Sequence, residues 1–110
     1  MPELTPAALR TVVERLAPAR LPALTQHLAE AATNALQAGT LAPLQAFVAS
    51  WAVFVAIERH PERAARLREL ERVVDAGEQD PTAAIAEIRA ILEAAEVDAG
   101  TGTAAPFLPA

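Results

Sequence analysis

The eleven residues from Phe47 to Ile57 (FVASWAVFVAI) constrain the fold more than any other segment, because ten of them are apolar. They include the chain's single tryptophan, Trp51, and two of its three phenylalanines. A helix that is apolar on every side leaves no face for water, so such a segment must be enclosed by neighbouring elements. Extended back to Leu41 it reaches 17 residues, interrupted by Pro43, Gln45 and Ser50 and followed directly by Glu58-Arg59-His60. A membrane span needs about 20 mostly apolar residues. The segment therefore reads as the central helix of a folded domain, over about residues 41–59.

Prolines and glycines divide the rest of the chain. Thr5 is suited to cap a first helix with Pro6 at its first position, and Leu9, Val12, Val13 and Leu16 recur at i, i+3, i+4 and i+7. Pro18 ends that helix, since the residue before a proline avoids the helical region. A second helix is predicted from about Pro22, with Leu24, Leu28, Ala31, Ala35 and Leu36 on one stripe and Gly39 as its C-terminal cap. Thr40 then caps the third, where Pro43 lies in the first turn and costs no hydrogen bond. Leu44, Phe47, Val48, Trp51, Phe54 and Val55 form its wide face. A fourth helix runs from Pro61 to about Ala76, turning Leu67, Leu70, Val73 and Val74 inward. Asp80-Pro81 opens a fifth that carries Ile85, Ile88, Ile91, Leu92 and Ala95.

With 28 alanines and no strand-like alternation, helix is the default state. The pattern predicts an all-α fold: a compact bundle of five helices over residues 1–97, packed around the central apolar helix. Residues 98–110 have no period and little bulk before Phe107-Leu108-Pro109-Ala110, and read as a flexible tail.

Chemistry has few footholds. Ser50 is the chain's only serine and has no Gly-x-Ser-x-Gly elbow around it, and glycines at 39, 77, 100 and 102 build no phosphate loop. There is no cysteine. His60 and Glu58 mark the one place for a general base. They stand two residues apart, on different faces of a helix, and Pro61 prevents a Glu-x-x-His arrangement. Glu62 and Arg66 are instead expected to pair at i, i+4. His27 has no second histidine one turn away. No enzyme activity, metal or cofactor is expected. The segment Met1-Pro2-Glu3-Leu4-Thr5-Pro6 lacks the basic and apolar regions of a signal peptide, so a cytoplasmic location is the expectation.

Binding to another protein, or to a second copy, is the remaining expectation. Ile88 and Ile91 give the fifth helix more apolar width than one packing contact needs, and Phe107 and Leu108 form an apolar anchor on a loose tether. Arg59, Arg63 and Arg66 fall at i, i+4 and i+7, with Arg68 and Arg72 beyond, and could line one helix face. Such a stripe supports the alternative of a nucleic-acid-associated regulator. Glu62, Glu69 and Glu71 are interleaved, however, and the net charge of −5 opposes phosphate backbones and anionic membranes.

The run Leu41-Ala42-Pro43-Leu44-Gln45-Ala46-Phe47, then Trp51 and Val55-Ala56, then Glu62-Arg63-Ala64-Ala65-Arg66, resembles a family of small uncharacterised bacterial helical proteins. Its pattern is an acidic alanine-rich helix, a Leu-x-x-(Leu/Phe)-x-x-x-Trp central helix and an arginine-containing helix after a proline. Some members are suspected antitoxin-like partners encoded beside small toxins. The resemblance implies a protein-interaction role over residues 20–75 and supplies no catalytic residue. The chain departs from a typical antitoxin in having no obvious DNA-binding domain.

Overall fold

The boundaries set by proline and glycine reappear in the structure, a computed structural model that describes residues 4–100. Five α-helices follow one another: α1 Pro6–Leu16, α2 Leu21–Ala38, α3 Ala42–Glu58, α4 Pro61–Ala76 and α5 Thr82–Ala99, with a short 3-10 turn Pro18–Arg20 between the first two. The fold is an all-α bundle, with no strand among the described residues. No helix of the described residues is long and apolar enough to cross a membrane.

Local chemistry explains the punctuation. The Thr5 hydroxyl accepts the Ala8 N–H at 3.2 Å, satisfying one of the donors that the first turn of α1 leaves free. Gly39 ends α2 in the left-handed region at φ 70°, where a side chain would be strained. The N–H groups of Gly39 and Thr40 both donate to the Ala35 carbonyl, so the chain reverses within three residues. The Thr40 hydroxyl then accepts the Ala42 N–H at 3.3 Å, and the Asp80 carboxylate accepts the Thr82 N–H at 3.0 Å at the head of α5.

Burial centres on α3. Phe47, Ala52, Val55 and Ala56 are fully buried, and Trp51 is 6% exposed. Leu9 and Val13 of α1 and Leu24 and Ala31 of α2 close on it from one side, Ala64 of α4 and Ala95 and Ala99 of α5 from the other. Full burial of a Phe or Leu side chain contributes roughly 1.5–3 kcal/mol each, which lets this small cluster hold an alanine-rich chain. The Trp51 indole N–H donates to Nδ1 of the half-buried His27 at 2.9 Å, so its one polar atom is satisfied at the edge of the core. His27 also stands edge-on to Phe47, with ring centroids 5.1 Å apart.

Three expectations change. Helix α3 is not enclosed all round: Gln45, Ala46 and Ser50 are exposed, because four helices cover its flanks and leave one edge to solvent. Leu36 is 85% exposed and does not belong to the inward stripe of α2. Leu24, Ala31 and Ala35 occupy that stripe, and Leu36 lies one residue, about 100°, around the helix. Finally, α5 runs to Ala99, two residues past the expected end of the bundle, because Ala99 is buried and Asp98 is tied to α4.

Candidate protein-interaction surface

The tight turn at Gly39-Thr40 brings the last turn of α2 against the first turns of α3 and drives Leu41 to the tip, 65% exposed. Two hollows open on either side of it. One, of about 410 Å³, lies against the start of α1 and is lined by Leu4, Pro6, Leu41, Leu44, Gln45, Val48 and Ala49. The other, of about 570 Å³, lies against α2 and is lined by Ala32, Ala35, Leu36, Gly39, Thr40, Leu41 and Leu44. Leu41 and Leu44 belong to both, so the two form one continuous apolar face. No titratable side chain lines either hollow. A contiguous exposed apolar face is a candidate interaction site, whereas isolated surface leucines are ordinary.

The sequence carries a signal for this face that periodicity does not read. From Ala31 to Ile57 there are 27 consecutive residues without one charge. Charged residues normally supply the solvated side of a helix. Their absence from the end of α2 and all of α3 before Glu58 leaves the exposed edges of both helices apolar or merely polar.

The arginine-rich segment is organised differently from the expected stripe. Arg63 donates from Nη1 to the Ala56 carbonyl at 3.0 Å and to Asp98 at 2.7 Å, clamping the end of α3 to α4 and α5. Arg66 does not pair with Glu62. It reaches across to Glu87 of α5 with two parallel bonds of 2.6 and 2.7 Å. A bidentate guanidinium–carboxylate pair has better geometry than a single-point pair along one helix, which accounts for the choice. Arg68 bonds Glu58, and Arg72 bonds Glu69. Of the proposed face only Arg59 makes no ion pair among the described residues.

These pairs hold their carboxylates below the usual range. Hydrogen bonding from Arg63 lowers Asp98, that from Arg66 lowers Glu87 and that from Arg72 lowers Glu69, while the Thr82 hydroxyl lowers Asp80. A carboxylate whose folded pKa is depressed contributes stability above its unfolded pKa and loses it as pH falls through the folded value. The melting temperature should therefore hold steady down to about pH 5 and decline below about pH 4. Asp98→Asn should remove part of that acid slope in a series of melts. An identical slope in the variant would show that the Arg63 clamp has no role in stability.

The two histidines have structural neighbours. His27 serves Trp51, and Nε2 of the exposed His60 lies 3.9 Å from Asp98. No group of three His, Cys, Asp or Glu side chains is placed to hold a metal among the described residues. Ile88 and Ile91 are half-buried, while Ile85 and Leu92 of the same helix are 42% and 38% exposed. The apolar width expected of α5 is thus partly on the surface, interleaved with Glu87, Arg89 and Glu93. Phe107 and Leu108 lie outside the described residues. Leu4 and Leu41 fall on no periodic stripe and Leu36 is expected to face inward, yet the three are 42%, 65% and 85% exposed. No protein-family model, no curated protein and no solved structure matches the chain.

Proposed function

We propose that this chain is a non-enzymatic protein-interaction module that docks its partner on the uncharged face around Leu36 and Leu41. The observation that carries this reading is the exposure of those two leucines, 85% and 65%, beside hollows lined by no charge. Burying apolar surface of this kind on association yields roughly 25 cal/mol per Å², and no ionic group has to be desolvated to do so. An adaptor or an antitoxin-like partner protein would use such a face. The arginines lend little to a nucleic-acid role, since Arg63, Arg66, Arg68 and Arg72 each spend their charge on an acid of the same chain.

The chain has no lysine, so a photo-reactive benzoylphenylalanine at Gln45, which lines the first hollow, is the suitable cross-linker. Irradiation in the cells that make the protein should give an adduct, and the pair Leu36→Glu and Leu41→Glu should abolish it. Both leucines are exposed, so each change should move stability by no more than about 0.5 kcal/mol. An adduct undiminished in the double variant, or no adduct in the parent, contradicts the docking role.

A further inference from the structure

We infer that the His27–Trp51 hydrogen bond is a pH-sensitive latch between α2 and α3, closed while His27 is neutral and opened when its imidazole takes up a proton. The indole N–H of Trp51 can only donate, so Nδ1 of His27, 2.9 Å away, must meet it with a lone pair. That fixes the neutral ring in one tautomer, with its proton on Nε2. An imidazolium carries N–H on both nitrogens and has no lone pair left to accept with. Two donors then face each other, and the contact opens. The pair lies apart from the face around Leu36 and Leu41, since neither residue lines its hollows.

The groups packed around His27 do not compensate for the added charge. His27 makes no ion pair among the described residues. Helix α3 has no charged residue before Glu58, whose carboxylate is held by Arg68. On α2 itself, Glu30 accepts from Nε2 of Gln26 at 3.3 Å. On α1, Arg10, Glu14 and Arg15 are all exposed to solvent. The 3-10 turn supplies only a second cation, the Arg20 guanidinium, 5.8 Å from the centroid of the Trp51 ring. The face of an aromatic ring attracts a cation, whereas its edge, where the indole N–H lies, is the positive part of its quadrupole. A proton on Nδ1 therefore meets positive charge at the one atom it touches there. The opening is local. Leu24 and Ala31, before and after His27 on α2, stay buried in the cluster shared with α3, so helix content and the melt hold while the latch moves.

NMR of the full chain labelled with nitrogen-15 tests this, because one tryptophan gives one indole N–H signal and the only other histidine is His60. At the alkaline end of the titration the ring nitrogens of His27 should show the proton on Nε2, and the indole proton should exchange slowly with water. Histidine ordinarily changes its charge between about pH 5 and 8. Across that range the indole signal should move and its exchange should quicken, following the titration curve of His27. His60→Asn should leave this behaviour intact. In His27→Gln the amide oxygen can accept the same N–H and does not titrate, so the indole signal should stay fixed. An indole signal that does not move in the parent chain overturns the latch, as does a neutral His27 with its proton on Nδ1. A signal that still moves in a folded His27→Gln overturns it too. Should that variant fail to fold, agreement or disagreement between the indole and His27 curves of the parent decides the matter.

Discussion

Trp51→Ala is expected to cost about 3–5 kcal/mol of folding free energy, the range for removing a large enclosed aromatic side chain. The ring is 6% exposed and packs edge-on against Phe54 at 5.2 Å between centroids, with the Arg20 guanidinium 5.8 Å from its own centroid. Its loss also leaves His27 Nδ1 without the donor it has at 2.9 Å. Domains of this size have about 5–15 kcal/mol of total stability, so the variant would lie close to unfolding. A thermal melt followed by circular dichroism should fall by on the order of 15 °C. Trp51→Phe separates the two contributions, since it keeps most of the bulk and removes only the indole N–H. An unaltered melt in Trp51→Ala would mean that α3 does not organise the core.

Ala95→Leu should be the more damaging change on α5, and Ile85→Ala the milder, which inverts the ranking that side-chain size suggests. Ala95 is fully buried in the same cluster as Ala52 and Ala56 of α3, and Ala99 one turn on is 3% exposed. Helix α5 makes its broadest contact with α3, and both helices bury alanines in the shared cluster. Three added carbons have no space there, and overpacking of this kind costs about 1–3 kcal/mol, occasionally more. Ile85 is 42% exposed, so its truncation forfeits little burial and should cost under about 1 kcal/mol. Urea titrations of both variants give the comparison directly. A larger loss in Ile85→Ala than in Ala95→Leu would place the isoleucine stripe, rather than the alanines, against α3.

The reversal on α5 shows what the amino-acid sequence makes legible and what it does not. Helix ends were readable because each has a local chemical cause. Thr5, Pro6, Gly39, Pro61, Gly77 and Asp80 act within a few residues of themselves and need no partner. The central place of α3 was readable because bulk is concentrated in Phe47, Trp51, Phe54 and Val55, and there is little competing bulk elsewhere. Which face of a helix turns inward depends on how closely its neighbour approaches, and that is a property of two helices. Hydrophobicity ranks Ile85 and Leu92 above Ala95 and Ala99, but it is the two alanines that are buried in the cluster that holds Ala52 and Ala56.

Two further differences have the same origin. Ala35 and Leu36 share the expected stripe of α2, but only Ala35 turns inward and Leu36 is 85% exposed. Arg66 had an acid one turn away in Glu62, yet only the fold could bring Glu87 within reach of both ends of its guanidinium. The uncharged face around Leu36 and Leu41 is written more plainly, in the run without charge from Ala31 to Ile57. Periodicity does not register an absence of charge on the solvent side, and the residues that stand out by spacing are Arg59, Arg63, Arg66, Ile88 and Ile91.

Leucine-methyl NMR of the labelled chain, alone and in an extract of the cells that make it, tests the central claim, that the face around Leu36 and Leu41 is where this molecule docks a partner. The methyl signals of Leu36, Leu41 and Leu44 should shift or broaden in the extract, while those of Leu9 and Leu24, fully buried in the core, should keep their positions. Signals identical in extract and buffer, or changed only at Leu92 on α5, would contradict it.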